Sequence, residues 1–306
     1  MALSLPCVRI AHFSDPHLPL AELPGWRELG FKRILSLLSW SVRRRKLHRW
    51  APLEAVMRDI ARARPDLVAL TGDLTNLGLL AEFRQARQWL DRQDLPPTLL
   101  VPGNHEALLR ENSAAKRAMW EPWLHRSKLY PALSVLEQDG VALIGVNTAR
   151  PSLPFLATGS AGEAQLAQLA QCLSQSRAAG LCRVVLLHHP PVAGLVSTRK
   201  GLTDLEAFQA VLRQNGAELV LHGHSHRATF TRLAGSAIPV LGTTSASHTP
   251  DTPATAAGWN LITITPQPDR WAITVQRRAL TPGGSMTDCA EYHAFTADRF
   301  LPPSAL

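Results

Sequence analysis

Apolar residues in this chain fall into two kinds of run that alternate. Short aliphatic blocks at Cys7–Phe13, Leu67–Thr71, Thr98–Val101, Val141–Val146, Arg183–Leu187 and Glu218–Leu221 are too brief for helices and read as buried strands. Between them the spacing changes to threes and fours. Leu53, Val56, Met57 and Ile60 mark a helix over 51–64 that Pro65-Asp66 stops, and helices are predicted again at 79–92, 161–179 and 204–215. Towards the C-terminus the helical spacing disappears, and Ala237–Leu241, Leu261–Thr265 and Trp271–Val275 predict strands with no helix between them. Alternation followed by a strand-rich end predicts an α/β chain, with a mixed two-sheet core and helices outside. Residues 281–306 carry no strong period and are expected as a C-terminal tail.

At 306 residues and 45% apolar, the chain is long enough to bury a sizeable core. No linker-like stretch divides it, so residues 1–280 are read as a single catalytic domain with an insertion over 20–50. The four cysteines form no C-x-x-C pair, which suits a reducing compartment. The N-terminus passes into a strand without the features of a cleavable leader, and no apolar stretch is long enough to span a bilayer. A cytoplasmic protein is expected. The net charge of +8 favours an anionic partner.

Five short motifs follow the strand-like runs: Asp15-x-His17, Gly72-Asp73, Gly103-Asn104-His105-Glu106, His188-His189 and Gly223-His224-Ser225-His226. Asp15 and His17 stand two apart, so an extended backbone would turn both to one side, and His224 and His226 repeat that spacing. Gly72 permits a tight turn that frees the Asp73 carboxylate to bridge two cations. Asn104 adds a carbonyl oxygen, and His105 beside it faces another way. Singly, each fragment has a plainer reading: Gly-Asp is commonly a turn, Asn suits a left-handed bend, and prolines stop a strand after His188-His189. Jointly they supply mixed oxygen and nitrogen donors without thiolate, which suits Mn²⁺, Fe or Zn²⁺ better than a closed structural zinc site. Two such ions roughly 3.5–4 Å apart activate water and orient an in-line displacement at phosphorus.

The set resembles the calcineurin-like metallophosphoesterase superfamily, whose pattern runs D-x-H, G-D, G-N-H-[DE], H, G-H-x-H; the likeness covers roughly residues 8–230. The resemblance implies a four-layer α/β/β/α sandwich and a dinuclear centre. Asp15, His17 and His226 would hold the first metal, Asn104, His188 and His224 the second, with Asp73 bridging. His105 would not be a ligand but would contact phosphate and assist the leaving group, which makes Asp73 and His105 the expected catalytic pair. Asn104 and His105 are the expected substrate contacts, and His189 is expected either to face substrate or to stand behind a ligand, without being a ligand itself. His222 is expected to point away from the metals, while Ser245, Ser247 and His248 are candidates for touching substrate. The motif wording is most similar to class III cyclic nucleotide phosphodiesterases. Glu106 departs from the Asp usual there, and this acidic residue is expected to orient His105.

Trp26–Trp50 carries a second signal. Phe31, Ile34, Leu35 and Leu38 form a helical apolar stripe widened by Leu37, Trp40 and Val42. Lys32, Arg33, Arg43, Arg44, Arg45, Lys46 and Arg49 are basic, with no acid between Glu28 and Glu54. Two readings stand side by side: residues 26–50 form an interfacial element on an anionic membrane, or a helix packed on the core with an exposed basic end. Nucleic acid is disfavoured, since the aromatics lie at the segment's ends rather than between the cations. Following the first motif directly, the segment should overhang the cleft. In kind it is similar to the caps of metallophosphoesterases that hydrolyse UDP-2,3-diacylglucosamine at the inner membrane surface, although one large group of those has Arg where His105 stands. The expected function is therefore a dinuclear phosphohydrolase acting on a phosphodiester or phosphoanhydride, with a phosphorylated small molecule or a lipid-linked nucleotide as substrate. A non-catalytic metal-binding scaffold is the third alternative, disfavoured by the complete ligand set.

Overall fold

The computed structural model describes residues 6–109, 113–250, 252 and 254–296. Along the chain come β1 (Val8–Phe13), β2 (Leu67–Leu70), β3 (Thr98–Leu100), β4 (Ser134–Gln138), β5 (Val141–Gly145) and β6 (Cys182–Leu186). β7 (Leu219–His222), β8 (Thr229–Arg232), β9 (Pro239–Gly242), β10 (Gly258–Pro266), β11 (Trp271–Leu280) and β12 (Met286–Thr296) follow. They form two six-stranded sheets, ordered β12-β11-β10-β1-β2-β3 and β4-β5-β6-β7-β9-β8. The helices are α1 (Phe31–Ser39), α2 (Arg45–Leu47), α3 (Trp50–Ala63), α4 (Leu80–Asp91), α5 (Ser113–Leu124), α6 (Glu163–Ala178) and α7 (Leu205–Asn215).

Three apolar layers separate four structural ones. Between the sheets, Ile10, Leu67 and Leu99 meet Leu143, Val184 and Leu219. The alternate residues Phe13, Val68 and Leu100 face outwards and pack under Leu53, Phe83 and Trp120 of α3, α4 and α5. On the far side, Ile144, Val185 and Val220 lie beneath Leu169 of α6 and Phe208 of α7. Strands covered on both faces have no polar side, which is why they read as unbroken apolar runs in the sequence. The arrangement is the α/β/β/α sandwich.

The elements absent from the apolar pattern have physical reasons. β4 and β8 are sheet edges and only half-buried, so they need little apolar content. β12 closes the other sheet by antiparallel pairing with β11, which gives the 286–296 stretch a place its weak periodicity does not announce. α5 carries an interior proline, Pro122.

The 26–50 segment folds as α1, a wider π-type turn over Trp40–Arg44, and the single turn of α2. Its burial inverts the usual order. Arg33 is the buried residue of α1 at 2% exposure, donating from Nε to the Leu77 carbonyl (3.1 Å) and from Nη1 to the Glu28 carbonyl (2.8 Å). Phe31 on the apolar stripe is 63% exposed, and Ile34 and Leu38 are exposed with it.

Candidate metal centre

β1, β2 and β3 run parallel within one sheet, and β6 and β7 within the other, so the five motif loops leave strand C-termini on a common rim. The chain does not stay extended there. Asp15 (φ 51°), His17 (36°), Asp73 (55°), His224 (64°) and His226 (52°) all adopt left-handed backbone. Each such residue costs about 1–3 kcal/mol and persists only where its surroundings fix it. They are fixed here: Asp15 N–H donates to Gly72 O (2.9 Å), His17 N–H to Asp73 O (3.0 Å) and Leu18 N–H to Leu74 O (2.9 Å). The two-residue spacing of the Asp15–His17 and His224–His226 pairs thus works through left-handed turns, not through the extended strand the spacing suggests.

Side chains from these turns form two clusters. In the first, His226 Nε2 lies 3.1 Å from Asp15 Oδ1 and 3.3 Å from His17 Nε2. In the second, His188 Nε2 lies 3.1 Å from Asn104 Oδ1, 3.1 Å from His224 Nδ1 and 3.2 Å from Asp73 Oδ2. Asp73 Oδ2 also stands 3.9 Å from His17 Nε2, so one carboxylate oxygen faces both clusters. His105 is drawn towards the centre but held differently: its backbone N–H donates to Asp73 Oδ1 (2.8 Å) and its Nδ1 to the Asn76 carbonyl (2.6 Å).

Chemistry tests whether cations fit. A carbonyl oxygen only accepts, so Nδ1 of His17, bonded to Thr75 O (3.1 Å), and Nδ1 of His188, bonded to Thr71 O (2.7 Å), carry the ring protons. Each Nε2 is then the atom left to take up a proton or a metal ion, and the groups around His188 Nε2 include two further acceptor oxygens. Only a cation satisfies such a cluster, and the residues fit divalent metals. Burial holds His17 and His224 well below the usual imidazole range, so these rings are neutral and able to ligate. At His188 burial opposes the charged form, yet Asp73 offsets it and pushes the ring up to about 9, so that Nε2 takes a proton towards Asp73 Oδ2 whose place a bound cation would take. Burial likewise works against the Asp73 carboxylate, and the facing His188 and His105 hold it well below the usual range.

Two glycines make room for this packing. A Cβ on Gly223 would lie 2.0 Å from Ser14 Oγ and 2.6 Å from Asp15 Oδ2, and one on Gly103 would lie 2.2 Å from Asp73 Oδ1.

Several expectations from sequence are corrected. Glu106 does not orient His105. It accepts from the backbone of Gly103 (2.7 Å), Asp73 (2.8 Å) and Thr75 (2.8 Å), and so pins the second motif loop to the third. Burial, reinforced by Asp73, pushes its carboxyl up to about 7. Ser245 and Ser247 are buried and face His48, not the cleft. His248 Nδ1 is turned onto Thr249 O (2.7 Å). His189 is fully buried, its Nδ1 on Thr148 Oγ1 (2.8 Å) and its ring 4.6 Å from that of His224, which favours support of that ligand over a substrate contact. His222 does point away, onto Gly223 O and Thr229 Oγ1.

Two residues of the insertion also reach the centre. Arg44 Nη1 lies 3.0 Å from His105 Nε2, while its Nη2 donates to Ser36 O (3.0 Å). The His48 ring is 4.6 Å from that of His17. Neither residue stands in a motif. The only signal for them was the placement of the basic segment straight after Asp15-x-His17.

A two-sheet sandwich with carboxylates, an amide and imidazoles gathered at its strand ends defines a metal-dependent hydrolase. The chain belongs to the calcineurin-like phosphoesterase family, whose profile matches residues 8–228, and this family uses a dinuclear metal centre. A probable cyclic nucleotide phosphodiesterase of Synechococcus is 28% identical over 220 residues, covering 69% of this chain and 77% of that protein. A cAMP/cGMP dual specificity phosphodiesterase of Mycobacterium tuberculosis is 28% identical over 200 residues, covering 64% of this chain and 58% of that protein. In fold, the chain is similar to a dimetal phosphatase from Danio rerio, with TM-score 0.57 at 13% identity over 97% of this chain and 100% of that one. The protein is a metal-dependent phosphoesterase.

Proposed function

We propose that the chain hydrolyses a phosphodiester, with a cyclic nucleotide as the leading substrate. Asp15, His17, Asp73 and His226 would hold one divalent ion, and Asp73, Asn104, His188 and His224 the other. The observation that carries this reading is the pair of lone-pair clusters sharing Asp73 Oδ2. Bound there, two ions of Mn²⁺, Fe or Zn²⁺ would supply an activated water and neutralise phosphoryl charge. The names of the two relatives, both cyclic nucleotide phosphodiesterases, support the substrate class.

The protein's own groups do the rest. The Glu106 and Asn76 bonds fix the Asp73 and His105 loops before substrate arrives, so no ordering cost falls on the reaction. Arg44 and His105 stand together beside the first cluster, the His105 ring 5.0 Å from that of His17, where an entering phosphate oxygen meets both a guanidinium and an imidazole. Burial holds the His105 ring down to about 4, so it enters neutral. An approaching phosphate anion favours its imidazolium; a ring that has taken a proton at Nε2 from solvent would pass it to the leaving oxygen and return to the neutral form.

A second reading, a lipid-linked nucleotide cleaved at a membrane surface, is favoured by one observation: the apolar stripe of α1 faces solvent beside exposed Leu153 and Phe155. No helix among the described residues is long and apolar enough to cross a membrane, so contact would be peripheral. Offering cyclic AMP and UDP-2,3-diacylglucosamine together to Mn²⁺-loaded protein, against an Asp73→Asn control, separates the two. AMP alone supports the first reading. UMP with the lipid phosphate supports the second, and turnover of neither substrate overturns both.

A further inference from the structure

His48 sits in the insertion, outside every motif, yet its surroundings are those of a ligand. One ring nitrogen lies within 4.8 Å of ring nitrogens of both His17 and His226. By ring separation it belongs with them: His48 is 4.6 Å from His17 and 5.5 Å from His226, while His17 and His226 are 5.2 Å from one another. The ring is also aimed. Its Nδ1 meets Ser247 Oγ (2.9 Å) and Ser245 Oγ (3.1 Å). Ser245 has a single hydroxyl proton, and its oxygen lies 2.6 Å from the Asp15 carbonyl, which only accepts. Towards His48 that hydroxyl accepts, which favours the tautomer with the proton on Nδ1 and the lone pair on Nε2, Ser247 Oγ accepting from Nδ1 as well. This is the arrangement in which an outer hydrogen bond fixes the tautomer of a ligating histidine.

The backbone holds the ring in place from both sides. Arg49 N–H donates to Ser247 O (3.0 Å), Thr249 N–H to Leu47 O (2.7 Å), and His48 bridges His248. The serine loop is joined in turn to the first motif, with Ala246 N–H on Ser14 O (2.9 Å). His48 is almost fully buried. A buried imidazole beside two others, its Nδ1 turned onto the serine loop, costs more to bury than an apolar side chain of the same size would.

We propose that His48 is an additional protein ligand of the first metal position, so that the insertion over the cleft is closed onto the metal centre by coordination. This rests on the dinuclear reading above, and the test keeps the two apart. Metal affinity and stoichiometry are measured by zinc titration of wild type, Asp73→Asn, His48→Ala and His48→Gln. The cobalt-substituted proteins are then compared by visible absorption, which reports ligand number and type without any turnover. Wild type should take up two ions. His48→Ala and His48→Gln should weaken one of them at least tenfold, leave the other unchanged and alter the cobalt spectrum, with added imidazole restoring the spectrum of the alanine variant. A crystal structure of the zinc-loaded wild type should place His48 Nε2 about 2.0–2.1 Å from the first ion, which needs no variant to fold. Unchanged affinity and spectrum in folded His48 variants, or a His48 Nε2 beyond hydrogen-bonding distance of the ion, overturns the proposal. Full zinc retention by Asp73→Asn would instead undo the dinuclear reading beneath it.

Discussion

On the floor of the cleft, polar side chains are buried: Asp15 and His188 have no solvent exposure. In the segment above it, apolar side chains are exposed, with Trp26 at 78% and Val42 at 73%, while Arg33 is buried. Each region departs from ordinary burial, in opposite senses and for different reasons. The floor tolerates buried charge because each group meets another, and because left-handed turns, held by backbone bonds, aim those groups inwards. The cap leaves apolar surface in water, which nothing within the described chain covers. The contrast separates a rigid, internally bonded site from a surface that leaves apolar side chains exposed.

Removing the shared carboxylate sharpens that contrast most. Asp73→Asn keeps the volume and one oxygen but takes the charge that faces His17 and His188. Turnover should fall by more than about a thousandfold, since residues acting as one unit fail together, and metal content measured on the purified variant should fall with it. Two ions retained at wild-type affinity would remove Asp73 from its bridging place.

Much of the floor was legible in the sequence because it is built from short-range constraints. A glycine before Asp73 and another before His224, two-residue spacings, and strands ending at each motif can all be read without knowing what pairs with what. The two-sheet core with helices outside followed from strand–helix alternation and the strand-rich end, and the four-layer order from the family resemblance. What could not be read depends on contacts between distant segments. Glu106 pairs with Asp73 and Thr75, Ser245 and Ser247 with His48, and Arg44 with His105. Nothing in the spacing of Glu106 distinguishes a residue that orients its neighbour from one that fastens two loops. The cap is ambiguous in another way. A stripe at positions 31, 34, 35 and 38 fits a packed face and an interfacial one equally, and the helix turns most of that face outwards while Arg33 finds carbonyls at Leu77 and Glu28.

Glu106→Gln tests how far the floor depends on that fastening. The amide keeps one acceptor oxygen but sets an NH₂ against either the Gly103 and Asp73 N–H donors or that of Thr75, at a cost of about 2–3 kcal/mol. The melting temperature should drop, and activity should drop with it as the Asp73 and Asn104 loops separate. An unchanged melting temperature would mean that the floor is rigid without Glu106.

Arg44 is where the two regions touch, and its effect should be smaller and more selective. Arg44→Ala should raise KM for a phosphodiester about tenfold, the order expected for a lost charge-assisted hydrogen bond, and leave metal content alone. The exposed neighbour Arg45→Ala should change neither. If the two variants behaved alike, Arg44 would contribute only general positive charge, and the cap would be chemically separate from the floor.

The smallest expected change in stability is the most informative about the cap. On an ordinary amphipathic helix, replacing the apolar stripe by serine costs about 2–5 kcal/mol per large residue, because each vacates a packed site. Trp26, Phe31, Leu38 and Val42 vacate nothing in this fold. Each serine variant should therefore stay within about 0.5 kcal/mol of wild type by denaturant unfolding. The same four substitutions together should reduce sedimentation with anionic phospholipid vesicles, since they remove the surface that would enter the interface while leaving every arginine in place. A large loss of stability would show that the stripe packs after all, returning the cap to the rules of the floor. Unchanged stability with unchanged vesicle binding would leave the exposed stripe without a lipid partner and favour the small-molecule substrate, because a cap that meets no membrane has no need of a lipid-linked one.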